Sequence, residues 1–163
     1  MRLVVNGKAA GDPALRTAVG QLRDAGHQME VRVTWEHGDA SRYAAESVTD
    51  GLDVLIAAGG DGTINEVAGG MLSADSLPKT ALAVVPYGTA NDFATGIGIP
   101  IGDPLTALRL AAAGDATRID IGKVNDRIFV NVASGGFGAE VTANTPLQLK
   151  KALGGAAYSL MGI

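Results

Sequence analysis

The chain has 163 residues, of which 47% are hydrophobic and only 18% charged, so it can bury a substantial core and is not of the disordered class. A formal net charge of −4 disfavours nucleic acid as a partner, because phosphate backbones are bound through clusters of Lys and Arg, and it leaves no polybasic patch for anionic lipid. With no cysteine there is no disulfide and no thiolate metal site, no apolar run reaches membrane-span length, and no signal-peptide pattern opens the chain, so a soluble, cytoplasmic protein is expected.

In chain order, Met1 to Asn6 reads as a first strand with Leu3-Val4-Val5 at its buried centre. Asp12-Pro13 opens a helix, cap followed by proline, whose apolar stripe of Leu15, Val19 and Leu22 runs to a stop at Gly26. Met29 to Val33 alternates as a second strand, and Asp39 to Val48 reads as a second helix. The apolar run Leu52 to Ala58 is a buried third strand that feeds Gly59-Gly60-Asp61-Gly62-Thr63-Ile64-Asn65-Glu66. Thr80 to Pro86 is a fourth strand ending at a Gly88-Thr89 turn, and Asp103-Pro104 starts a further capped helix, Leu105 to Ala113, stopped by Gly114. This alternation predicts an α/β fold with a doubly wound, mostly parallel sheet. Ligands of such sheets sit beyond the carboxyl ends of the strands, where Asn6, Thr34, the glycine loop and Thr89 fall.

From about Asp120 the pattern changes to antiparallel β-structure: Arg118 to Val124, a turn at Asn125-Asp126, then Arg127 to Ala133. Pro146 to Ile163 looks helical and stops on apolar residues. The expected division is an α/β nucleotide-binding domain over 1–119 and the incomplete start of a β-rich second domain over 120–163, the whole being part of a longer protein.

The glycine loop carries the chemistry. Three glycines in four residues let backbone N–H groups approach a ligand, and the helix that follows adds unpaired donors and a partial positive charge, which suits phosphate. Thr63 and Glu66 have the spacing of a capping box. Asp61 is the unusual element, since a carboxylate inside a phosphate loop repels phosphate unless it has another task. Holding a Mg²⁺ bridged to phosphates and accepting a proton from an attacking hydroxyl are two such tasks; plain turn geometry is the alternative. The dinucleotide fingerprint fails because Asn65 stands where its third glycine belongs, and no GxxxxGK[ST] exists.

The string from Gly59 to Glu66 resembles the signature of the diacylglycerol kinase catalytic domain, whose superfamily includes sphingosine and ceramide kinases and, at a distance, NAD kinases. Pro86-Tyr87-Gly88-Thr89-Ala90-Asn91-Asp92-Phe93-Ala94 resembles a second block of that family. Val33 to Ala40 is closer to one branch, the bacterial YegS-type lipid kinases, and Phe137 within Gly135 to Ala139 is similar to the start of that branch's second domain. The resemblance implies an ATP- and Mg²⁺-dependent kinase acting on a lipid hydroxyl of diacylglycerol or phosphatidylglycerol type, with transient contact to a membrane surface. It implies nucleotide contacts at Thr34, Gly60, Asp61, Gly62, Thr63, Ile64, Asn65, Glu66 and Thr89, with Asp61 catalytic. The general base and a structural cation site are expected beyond Ile163, so no metal ligand is assigned here. An NAD kinase-like phosphotransferase and a non-catalytic nucleotide-binding module are the alternatives; neither the acceptor lipid nor the oligomeric state is assigned.

The other polar candidates have plainer readings. Thr34 and Thr89 suit local capping as well as nucleotide contact, and Asn65 and Glu66 suit holding the loop in shape. Asn91-Asp92 reads as a helix cap or else part of an acceptor cleft, with the cap favoured. Lys8 reads as a surface lysine rather than a phosphate partner, Asp120 as a strand-edge charge rather than a cation or hinge residue, and His27 and His37 as solvated. Trp35 is expected to cover the edge of the core, or at most a base pocket.

Overall fold

A computed structural model describes residues 1–74, 79–125 and 127–131. Strands β1 (Arg2–Asn6), β2 (Glu30–Thr34), β3 (Val54–Gly59) and β4 (Ala81–Pro86) form one all-parallel sheet in the order β2-β1-β3-β4. Helices α1 (Pro13–Asp24), α2 (Asp39–Thr49), α3 (Asp61–Ser73), α4 (Asp92–Gly96) and α5 (Pro104–Ala113) fill the connections. A second sheet follows, the antiparallel pair β5 (Gly122–Val124) and β6 (Arg127–Phe129). The Asp126 half of the expected turn, Phe137 and the helix read over Pro146 to Ile163 lie outside the described residues.

Alternation along each strand sends neighbouring side chains to opposite faces. Leu3, Val5, Ile56, Ala58 and Val85 meet α1 and α5 through Leu15, Leu22 and Leu108. Val4, Leu55, Ala57 and Val84 meet α2 and α3 through Ala44, Ile64, Val67 and Met71 on the other face. Both faces are covered, which is why the central strands read as continuous apolar runs. The sheet is doubly wound, because the chain leaves β1 for β2 on one side and reaches β3 on the other. The switch point between β1 and β3 is where such a sheet opens a ligand crevice.

Local signals place the helices. Asp12 accepts from the Ala14 amide at 2.7 Å and Asp103 from the Thr106 amide at 3.0 Å, each capping a helix with proline in its first turn. Gly26, at φ +93°, carries the left-handed stop after α1. The strand expected from Arg118 begins only at Gly122, since the preceding residues are exposed and none of the described residues pairs with them. His37 is solvated, whereas His27 is half-buried after the α1 stop.

At the amino ends of the strands Arg2, 5% exposed, donates to Glu30 at 2.7 Å, Ser47 at 3.1 Å and Asp50 at 2.9 Å. Burial pulls the Arg2 pKa down, but hydrogen bonds and charges from Glu30 and Asp50 outweigh it and hold it above its ordinary value. The hydrogen bond from Arg2 in turn lowers Glu30 from its ordinary 4.5, and the Trp35 amide, then Arg42, lower Asp39 from 3.8. Both carboxylates bind protons less readily folded than unfolded. Their stabilisation is therefore complete above the ordinary range and is lost as pH falls through the depressed folded values. The urea midpoint is expected to hold steady above that range and to drop as the pH falls below 4.5, where the unfolded chain begins to take up protons first.

Gly70 lets α2 and α3 close on each other, because a Cβ there would run into the Ser41 backbone. Gly70→Ala is expected to cost about 1–3 kcal/mol despite its better helix propensity, read by thermal or urea unfolding. An unchanged or higher midpoint would show that the two helices can separate freely.

Candidate functional site

Three segments meet at the carboxyl edge of the sheet. Thr34 pairs in register with Asn6, and Val5 with Ala58, so Thr34, Asn6 and Gly59 form one row across β2, β1 and β3. Pro86 continues that row on β4, opposite Gly59. The two loops that follow β3 and β4 touch backbone to backbone. Tyr87 N donates to Gly59 O at 2.8 Å, a Cβ on Gly60 would lie 2.9 Å from Gly88 Cα, and a Cβ on Gly88 would lie 2.5 Å from Gly60 Cα. Only two residues without side chains approach so closely. A Cβ on Gly59 would meet the Thr63 side chain at 2.5 Å, so that position too must be bare.

Helix α3 begins at Asp61, with Gly60 as its N-cap and no side-chain cap. The first intrahelical bond runs from Ile64 N to Gly60 O at 3.1 Å, which leaves the N–H groups of Asp61, Gly62 and Thr63 without helical partners. A Cβ on Gly62 would meet nothing within 4 Å, so there is room beside the loop at that residue. The three amides without helical partners lie at the positive end of a 13-residue helix, a setting that favours an anion.

The capping box expected of Thr63 and Glu66 does not form, because the helix starts two residues before Thr63. Glu66 Oε1 instead accepts from Gly38 N at 2.8 Å, tying α3 to the turn after β2. Ile64 is fully buried in the core, so only its backbone belongs to the loop. Thr89 is exposed in the turn after β4, and Thr34 is partly buried at the end of β2.

Asp61 has partners no local pattern foretold. Its Oδ2 accepts from Asp92 N at 3.3 Å and its Oδ1 from Phe93 N at 3.1 Å, capping α4 from across the crevice. The helix start expected at Asn91-Asp92 is present, but Asn91 does not cap it. Asn91, 4% exposed and at φ 55°, closes a ring with Gly88, accepting from Gly88 N at 2.7 Å and donating to Gly88 O at 2.9 Å. It fixes the glycine that faces Gly60; its one sequence-level sign was that Asn tolerates the left-handed region.

Asn65 binds the hairpin that follows the main sheet. Its amide donates to Ile128 O at 3.3 Å and accepts from Val130 N at 3.2 Å, pairing with the hairpin strand as another strand would. Between α3, α4 and that hairpin lies a cleft of about 230 Å³ bordered by Asp61, Asn65, Asp92, Phe93 and Phe129, two carboxylates against aromatic walls. Trp35, expected on the core edge, is 93% exposed, because β2 is the sheet edge and the chain turns away at that point.

An open parallel sheet with helices on both faces and a close backbone contact beside its switch point defines a doubly wound α/β domain. The diacylglycerol kinase catalytic domain matches residues 1–124, and the chain belongs to that family. It is 51% identical over 161 residues to a probable lipid kinase YegS-like protein of Chromohalobacter salexigens, covering 99% of this chain and 51% of that protein. The corresponding protein of Enterobacter sp. is 50% identical over 99% of the chain and 54% of its own length. The chain thus spans about half the length of the curated relatives it matches. A crystal structure of a diacylglycerol kinase from Bacillus anthracis str. Sterne superposes with a TM-score of 0.70 at 28% identity, over 90% of this chain and 54% of that one. A second, putative diacylglycerol kinase from the same organism gives 0.71 at 31% identity. The lipid-kinase family that the sequence blocks resemble and the α/β architecture read from the alternation of elements are those found.

Removing the Asn65 clamp should free the hairpin without disturbing the glycine loop. Asn65→Ala is expected to speed amide exchange at Val130 about 2- to 10-fold, the worth of one neutral hydrogen bond, while exchange in β3 stays put. Unchanged exchange at Val130 would mean that the hairpin is held by other contacts.

Proposed function

We propose that this chain is the nucleotide-side part of a lipid kinase that transfers the γ-phosphoryl group of ATP to the hydroxyl of a diacylglycerol- or phosphatidylglycerol-type lipid. The observation that carries the reading is the contact of Gly60 with Gly88 beside the start of α3, where three amides at the switch point have neither a helical partner nor a side-chain cap. In phosphoryl transfer, positioning and charge stabilisation do most of the work, and backbone donors supply both without reorganising. Gly60, Gly62 and Thr63 are the proposed phosphate contacts, with Thr34 and Thr89 reaching the nucleotide from the ends of β2 and β4. Ile64, Asn65 and Glu66 take part by shaping the loop. The cleft between α3, α4 and the hairpin is the proposed approach of the acceptor hydroxyl, aromatic walls serving the lipid and Asp61 lying at its phosphate end.

Asp61 is proposed as the catalytic carboxylate of this segment. Its carboxylate accepts the Asp92 and Phe93 amides and borders the cleft while its backbone opens α3, which supports a role between the proposed phosphate and acceptor sites. Mg²⁺ would neutralise phosphate charge, but the described residues contain no group of three or more carboxylate, His or Cys ligands, and the Asp61 oxygens already accept amides. The ion therefore belongs to the proposal as one that arrives with ATP. The general base is proposed to lie beyond Ile163, in the part of the β-rich second unit that this chain does not span. Among the described residues no helix is long and apolar enough to cross a membrane. Cytoplasmic placement, passing contact with a membrane surface and the absence of a nucleic-acid partner are proposed with it.

Gly60 and Gly62 separate folding from binding. Gly62→Ala adds a methyl where nothing stands, so stability should hold or rise by at most about 1 kcal/mol, while ATP affinity by calorimetry falls because the methyl occupies phosphate space. Gly60→Val should lose ATP binding by forcing the Gly88 loop away. Wild-type ATP affinity in both variants would put the phosphate site elsewhere. Transfer of labelled phosphate to NAD, with none to lipid vesicles, by a protein carrying both units would overturn the lipid acceptor.

A further inference from the structure

Trp35 is the only tryptophan in the chain, and its ring is 93% exposed. An indole left in water forfeits the burial that usually favours it, yet the backbone beneath this one is held firmly. Asp39, 8% exposed, accepts from Trp35 N at 2.7 Å and Glu36 N at 3.1 Å, and Arg42 donates to its other oxygen at 2.6 Å. Glu66 accepts from Gly38 N at 2.8 Å, so the turn that carries Trp35 is bonded to the helix that follows the glycine loop. The ring is free while its mount is fixed.

Its position follows from strand register. Thr34 lies in the row of Asn6 and Gly59, two strand spacings, roughly 10 Å, from the glycine loop. A ribose and an α-phosphate span a gap of that order. We propose that Trp35 is the base platform of the nucleotide site, one face of its indole stacking on the purine of an ATP whose phosphates lie at the start of α3. The proposal rests on the nucleotide reading above and adds to it the residue that distinguishes a nucleotide from a bare polyphosphate. A purine offers a π-face of matching size, and the ring pays little entropy because its turn is already ordered. The surroundings disfavour a membrane as occupant: the Asp39 and Arg42 charges pair with each other, Glu36 follows the ring directly, and insertion calls for clustered apolar side chains with unpaired basic neighbours.

A single exposed tryptophan makes intrinsic fluorescence a report on this residue alone. Titrating the 163-residue chain with ATP should change Trp35 emission, whereas tripolyphosphate should bind more weakly and leave it nearly unmoved. By calorimetry Trp35→Ala should weaken ATP about 5- to 100-fold and leave tripolyphosphate unaffected, and Trp35→Phe should recover most of the loss. Equal ATP affinity in wild type and Trp35→Ala overturns the platform, as does wild type that binds tripolyphosphate as tightly as ATP; both leave the phosphate site standing. An emission shift with phosphatidylcholine–diacylglycerol vesicles, and none with ATP that is shown to bind, overturns it in favour of a membrane contact. A chain that binds neither ATP nor tripolyphosphate removes the nucleotide reading itself, and the platform with it.

Discussion

Two glycines in contact set the geometry on which the rest of the site depends. The loops after β3 and β4 are adjacent because their strands are adjacent, but side chains would ordinarily hold them apart. Bare Cα atoms at Gly60 and Gly88 remove that spacer, and the Tyr87–Gly59 backbone bond draws the loops together. Asn91 then locks Gly88 from below, with a buried amide that serves one glycine's donor and acceptor at once. The result is a backbone surface rather than a side-chain one. Such a surface suits phosphate, since its donors are fixed in place and carry no rotamer entropy to lose on binding.

Around that contact the acidic side chains act as ties between elements distant in sequence. Asp61 joins the start of α3 to the start of α4, Glu66 joins α3 to the turn after β2, and Asp39 folds that turn on itself. Asn65 extends the pattern to the hairpin beyond the main sheet. The three carboxylates end on backbone N–H groups and so satisfy donors that would otherwise go unpaired at loops and helix ends, while the Asn65 amide serves one carbonyl and one N–H of the hairpin. The same arrangement keeps Asp61, Asn65 and Glu66 in fixed places along the first turns of α3.

Much of the fold was legible because it is local. Continuous apolar runs marked strands covered on both faces, and Asp12-Pro13 and Asp103-Pro104 marked helix starts through chemistry confined to a few residues. The parallel, doubly wound sheet followed from alternation alone. The site was legible in its residues but not in their partners. Thr63 and Glu66 fit a capping box by spacing, yet the helix starts earlier and Glu66 bonds 28 residues away. Asp61 looked like a free carboxylate because its amide donors lie 31 and 32 residues on. Trp35 was expected to cover the core edge, or at most a base pocket; that β2 is the edge strand is a fact of sheet order, which no local window contains.

Backbone amide chemical shifts on adding ATP to the 163-residue chain test the central claim most directly. The account predicts the largest changes at Asp61, Gly62 and Thr63, with Gly88 moving in concert because its loop touches theirs. Tripolyphosphate should reproduce the changes at the start of α3. Saturable ATP binding that leaves those amides still, and shifts a different surface, would contradict the placing of the phosphate site at the Gly60–Gly88 contact.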